Sequence, residues 1–75
     1  MPAAPVLLYT KTGCPYCEKK RAELAARGAA VREVNVTERP EAVGELLKVT
    51  RGRRIVPVVV EGVGIEIAPE GGSSF

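Results

Sequence analysis

Cys14-Pro15-Tyr16-Cys17 stands where an apolar, strand-like run gives way to a stretch of helix formers, and this placement limits the chain more than any other feature. A C-x-x-C motif at a strand-to-helix junction is the context in which two thiols read as redox active. Upstream, Pro5-Val6-Leu7-Leu8-Tyr9-Thr10 is a short apolar run ending in turn-prone residues, as in a buried strand. Lys11-Thr12-Gly13 is a loop. Pro15 suits a first helical turn, where a missing N–H costs nothing. Residues 18–27 are rich in Ala, Leu, Glu, Lys and Arg, and Gly28 is a natural stop. Their apolar face is thin, mainly Ala22, Leu24, Ala25 and Ala26.

That arrangement sets Cys14 at a helix start, where unpaired N–H groups and the positive end of the dipole favour an anion. Thiol pKa values of about 3.5–7.5 occur in such settings. Lys11, with Lys19 or Lys20, can add positive potential. Cys17 falls one turn further in, close enough to close a disulfide but more shielded. One thiol is therefore suited to attack and the other to resolve the mixed disulfide that results.

The rest of the chain supplies a small scaffold. Residues 31–36 alternate imperfectly and form a second strand. Thr37 can cap a second helix, with Glu38 and Pro40 in its first turn and Val43, Leu46 and Leu47 at helical spacing. Residues 50–54 break the pattern. Residues 56–60 are β-branched apart from Pro57, as in a central strand. Val63, Ile65 and Ile67 alternate with Gly64 and Glu66, the signature of a half-buried strand. Residues 68–75 hold a proline and two glycines and do not suit a helix. The order is β-α-β-α-β-β in an α/β domain with a four-stranded mixed sheet: helical crossovers make the first pair parallel, and a tight turn makes the last antiparallel.

Length and charge narrow the function. Seventy-five residues make one domain, 1–75, with no room for a second core. A net charge of +2, with basic residues spread along the chain, does not favour nucleic acid. The opening residues carry no base, and the apolar run after them is shorter than the roughly 7–15 residues of a signal-peptide core. Nothing approaches the roughly 20 apolar residues of a membrane span. The expected location is cytoplasmic, where thiols stay reduced and a structural disulfide is disfavoured. So small a disulfide loop would contribute only about 2 kcal/mol. A mononuclear zinc site needs about four Cys or His ligands, and the chain has two cysteines and no histidine, so no metal site is expected.

Tyr9-Thr10-Lys11-Thr12-Gly13-Cys14-Pro15-Tyr16-Cys17 resembles the active-site segment of dithiol glutaredoxins. Arg54-Ile55-Val56-Pro57 resembles that family's second landmark, a Thr-Val-Pro preceded by a Gly-Gln-Arg-like turn. The likeness runs from Pro5 to Ile67. It implies a thioredoxin-like fold and a thiol–disulfide oxidoreductase, with Cys14 as nucleophile and Cys17 as resolving thiol. It further implies a cis bond at Pro57, facing the cysteines and leaving the Val56 backbone free to pair with a bound thiol peptide. Lys11 and Tyr16 match positions that contact glutathione, and Arg53 sits near those that meet its carboxylates. Gly72 and Ser73 correspond to the segment that holds the γ-glutamyl end.

The resemblance has gaps. Gly71-Gly72-Ser73-Ser74 comes later than the family's Gly-Gly, and the chain contains no aspartate to hold the γ-glutamyl amine. A serine there gives a weaker hydrogen bond than a charged partner. The family's final helix is also lacking, so either Phe75 folds back as a plug over Val63, Ile65 and Ile67 or two chains pair; the expectation is a monomer with the tail folded back. Glutathione is the expected reductant, with no bound cofactor, and disulfide-containing proteins are the expected partners. Two alternatives stay open: a redoxin reduced by thioredoxin reductase that serves ribonucleotide reductase, and an iron–sulfur carrier using Cys14 and glutathione from two subunits.

Overall fold

Successive residues of the first strand, β1 (Val6–Thr10), enter two different cores, and this alternation organises the molecule. The computed structural model describes residues 5–62, 64–68 and 71–74. Val6 and Leu8 pack with Leu24 and Val59 on one face, whereas Tyr9 packs with Leu46, Val56, Val58 and both cysteines on the other. Fully burying a side chain such as Leu8 or Leu46 stabilises by about 1.5–3 kcal/mol, so these few residues matter in so small a chain.

Helix α1 (Pro15–Ala26) carries the chain from β1 to a parallel partner, β2 (Val31–Asn35). Cys14 is its N-cap and Pro15 opens its first turn. Its end is a Schellman closure: with Gly28 at φ 73°, the Gly28 and Ala29 N–H groups donate to Ala25 and Leu24 carbonyls at 3.0 and 3.1 Å. Only Cys17 and Leu24 of this helix are buried, so Ala22, Ala25 and Ala26, expected on the apolar face, lie exposed instead. The buried positions are seven apart, two turns on one narrow stripe, which the alanines flank.

The second helix begins later than expected. A 3-10 turn over Pro40–Ala42 leads into α2 (Val43–Thr50), and no side chain caps it. Thr37 does not serve as the cap because its hydroxyl is taken up by Asn35 and Thr12. Leu46 is the buried anchor of α2.

The 56–60 run does not form one strand. It divides at Pro57 into β3 (Ile55–Val56) and β4 (Val58–Glu61), and the Val56–Pro57 bond is cis. Proline has no N–H to offer a ladder, so the run breaks there. Strand β4 lies antiparallel to β1, and β5 (Gly64–Ile67) antiparallel to β4, giving the mixed order β2-β1-β4-β5. The four-stranded mixed sheet and the expected element order are thus present. Strand β3 instead pairs with β6 (Ser73–Ser74), a strand with no periodic signal in the sequence.

Register also corrects the expected bare face. Ile65 pairs with Val60 and Ile67 with Val58, so both lie on the side of α2, where Ile67 packs against the core and Ile65 stays 47% exposed. On the α1 side, β5 offers Gly64 and Glu66, which need no apolar cover. Val63 and Phe75, the latter expected as a plug, lie outside the described residues. Among the described residues no helix is long and apolar enough to cross a membrane.

Candidate active site

Three segments converge at the C-terminal end of β1: the turn into α1, the Ile55-Val56-Pro57 bend, and residues 71–74. Gly13 takes φ 78°, a conformation that favours glycine, and hands the chain to Cys14 in an extended conformation. Cys14 Sγ then accepts from the Cys17 backbone N–H at 3.4 Å, a side-chain cap at the helix N-terminus. Both cysteines are free thiols, at 1% and 0% exposure, in one cluster with Val56 and Tyr9.

The two sulfurs have opposite electrostatics. Burial pushes the Cys14 thiol up, but hydrogen bonds from the Cys17 thiol, the Ser73 hydroxyl and the backbone N–H groups of Cys17 and Tyr16 outweigh it, and its pKa ends below the ordinary value. Cys17 is pushed up to about 12, first by burial and then by its hydrogen bond to Cys14 and the charge there; a backbone hydrogen bond from Lys11 and the Arg21 guanidinium oppose this only weakly. Of the pair, Cys14 gives up its proton more readily and Cys17 retains its own.

Arg21 is itself held by Glu33, through bonds of 2.6 and 2.7 Å, and Glu33 also accepts from the buried Thr10 hydroxyl at 3.0 Å. The Arg21 guanidinium beside it holds the Glu33 carboxyl below its usual range. A second network steadies the loop before Cys14. The Thr12 N–H donates to the Thr37 hydroxyl at 3.3 Å, and Asn35 Nδ2 donates to Thr12 Oγ1 at 3.1 Å. Neither network was anticipated, although a lone Asn at a strand end followed by Thr37 is a recognisable turn signal.

The expected site residues are gathered unevenly. Lys11 Nζ donates to the Ser74 carbonyl at 3.0 Å, and Ser73 Oγ lies 3.5 Å from Cys14 Sγ. Tyr16 is 42% exposed, its ring beside Gly71. Pro57 and Val56 are buried next to this group, and Gly72 lies against the Val56 carbonyl. Strand register sets Val56 opposite Ser73. Arg53 stands apart on an exposed loop, its backbone pinned by the buried Thr50 hydroxyl, which donates to the Arg53 carbonyl at 2.7 Å. A concavity lined by Glu33, Asn35, Glu38 and Arg39 lies along β2, bordered by neither cysteine. Among the described residues no three His, Cys, Asp or Glu side chains gather as a metal site.

Comparison with known proteins accords with this geometry. Residues 6–65 match the family model described as Glutaredoxin. The chain is 36% identical over 59 residues to the N-acetyl-S-hydroxy-L-cysteine reductase of Bacillus subtilis (strain 168), covering 79% of this chain and 62% of that protein. It is 42% identical over 57 residues to the Gene 56 protein of Mycobacterium phage L5, covering 76% of this chain and 54% of that one. The chain thus spans between half and two thirds of the length of the relatives it matches. No solved structure matches.

Proposed function

The chain belongs to the glutaredoxin family, and from that premise we propose that it reduces protein disulfides and glutathione mixed disulfides through Cys14 and Cys17. The observation that carries this reading is the split between the two thiols, one lowered at a helix N-terminus and one raised inside the helix.

In the first step the Cys14 thiolate attacks one sulfur of a substrate disulfide. A Cys14–substrate bond forms, the substrate S–S bond breaks, and one substrate sulfur leaves as a thiolate. Cys17 then loses its proton to solvent or to the departing thiolate and attacks Cys14 Sγ. The Cys14–Cys17 disulfide forms and the second substrate sulfur leaves. Two electrons have passed to the substrate, and a thiol reductant restores the pair. The order follows from the electrostatics: burial raises the Cys17 pKa most and persists, while the further contributions of its hydrogen bond to Cys14 and of the Cys14 charge fall away once Cys14 is in a mixed disulfide.

Glutathione is the proposed reductant, in a reducing compartment such as the cytoplasm. Lys11 and Tyr16 would flank it, and Val56, Pro57, Gly72 and Ser73 would form the edge beside Cys14. The Bacillus subtilis relative is named as a reductase of an S-hydroxy cysteine. Thiolate attack on such a sulfur expels hydroxide and leaves the same kind of mixed disulfide, so the same pair would serve.

Turnover of a disulfide substrate should be followed with glutathione and glutathione reductase, and separately with thioredoxin reductase. Turnover with glutathione that vanishes in Cys14→Ser is the expected result. Cys17→Ser should keep activity on glutathione mixed disulfides and lose it on protein disulfides. Turnover with thioredoxin reductase alone would replace glutathione as the donor.

A further inference from the structure

Cys17, Arg21 and Leu24 stand four and then three positions apart on α1, so they share one face of the helix. The outer two are the residues that α1 buries. A stripe of this kind ordinarily carries an apolar residue at its centre, and here it carries a guanidinium. Arg21 reaches across to β2, where Nε and one terminal nitrogen donate to Glu33 at 2.6 and 2.7 Å. Register sets Glu33 beside Leu8, on the face of the sheet that α1 covers. Thr10, two residues after Leu8 and buried on that same face, donates to Glu33 at 3.0 Å.

Stability does not account for this polar inset. An ion pair whose side chains are 48% and 29% exposed contributes little. Its position relative to the thiols is more telling, because Arg21 lies one helical turn from Cys17. Burial is the largest influence on the Cys17 thiol and raises its pKa, and the Arg21 charge acts in the opposite direction. The coupling is mutual: the Arg21 pKa is raised first by its hydrogen bonds to Glu33, and Cys17 adds to the rise. The carboxylate that holds Arg21 also holds Thr10, the residue before Lys11, whose backbone N–H is the other group that favours a Cys17 thiolate. The remaining groups around Cys17 are Cys14 on its own helix and Tyr9 of β1, whose phenol is raised by burial and by Glu45 of α2. Glu18 adds a negative charge near Arg21, and β3 and β4 bring Val56 and Val58.

We propose that Arg21, anchored by Glu33, is a positioning residue for the second chemical step, fixing a positive charge beside Cys17 as that thiol gives up its proton and attacks Cys14. The proposal rests on the reading of Cys17 as the resolving thiol. Once Cys14 is in a mixed disulfide its own charge is gone, while burial still opposes a Cys17 thiolate. The guanidinium and the Lys11 N–H remain to favour one. The first step has no such need, since Cys14 draws on Cys17, Ser73 and the N–H groups of the helix start.

The test mixes the reduced full chain with a nitroaromatic disulfide in stopped flow. The Cys14 thiolate attacks one sulfur, a Cys14–aryl disulfide forms as the aryl S–S bond breaks, and one coloured thiolate leaves. Cys17 then passes its proton to solvent and attacks Cys14 Sγ. The Cys14–Cys17 disulfide forms and the second coloured thiolate leaves. In Arg21→Gln the first release should keep its rate, and the second should slow by about threefold or more with its pH midpoint moved upward. Arg21→Lys, which keeps the charge, should restore most of the second rate. Arg21→Leu supplies the apolar residue that the stripe would otherwise carry, so it keeps the fold and should slow the second release as Arg21→Gln does.

A second release unchanged in rate and pH midpoint overturns the proposal. Equal slowing of both releases also overturns it, since that is the mark of a clamp that merely holds α1 to β2. Absence of a second release from the unsubstituted chain would overturn the reading of Cys17 as well.

Discussion

The hydroxyl of Ser73 lies 3.5 Å from the sulfur of Cys14, although the two residues are 59 positions apart in the chain. A thiolate at Cys14 gains a donor there that the helix start alone does not supply. Ser73→Ala should therefore raise the Cys14 pKa. A hydrogen bond to a charged group contributes about 1.5–3 kcal/mol, and this long contact to sulfur should give less. The pH dependence of alkylation by iodoacetamide measures it; an unchanged midpoint would remove Ser73 from the site.

Cys17 should govern stability in alkali. Its folded pKa, about 12, lies above the roughly 8.5 of an unfolded thiol. The contribution is fully present below the unfolded value and is lost as pH rises from there toward the folded value, because the unfolded chain releases this proton first. Urea midpoints should fall between about pH 8.5 and 11, and Cys17→Ala should flatten that fall. The lowered Cys14 pKa has the opposite sign: its contribution is present above the unfolded value and is lost as pH falls. Identical alkaline slopes in the two proteins would show that the Cys17 proton is not held as described.

Leu24 is the only large aliphatic side chain that α1 buries, packed with Val6, Leu8 and Val59. Leu24→Ala should cost about 2–5 kcal/mol in urea unfolding. Where the variant remains folded, loosening of α1 should reduce the difference in alkylation rate between Cys14 and Cys17. A loss below about 1 kcal/mol would mean that α1 is held mainly by its ends.

Glu33 should contribute on the acid side. Its hydrogen bonds from Arg21 depress its folded pKa, so its stabilisation is present above the unfolded value of about 4.3 and is lost as pH falls through the folded one. The pair is partly exposed, so Glu33→Gln should cost no more than about 1 kcal/mol at neutral pH and less in high salt. The variant should also lose stability less steeply below about pH 4. An acid limb unchanged by the substitution would argue that solvent screens the pair.

Both landmarks of the site were legible because their chemistry is local. The cysteine motif, Pro15 and Gly28 describe the start and end of α1 from adjacent residues, and Pro57 interrupts a β-branched run visibly. The start of the second helix is not legible at Thr37, because a cap and a cross-loop bond use the same hydroxyl and only the position of Thr12 decides between them. The alternation of Ile65 and Ile67 is visible in the sequence, yet the face they occupy depends on register with Val60 and Val58, which no strand carries within itself.

By itself, then, the sequence determined the order of elements, the two helices' apolar anchors and a dithiol at a helix start. These follow from capping, periodicity and the dipole, which act within a few residues. What lies on the Cys14 sulfur, and how deeply Cys17 is buried, was decided by the tertiary structure. Burial of Cys17 and the arrival of residues 71–74 against Cys14 and Val56 require the sheet to be assembled first, because residues far apart in the chain meet only when the strands between them have fixed their register.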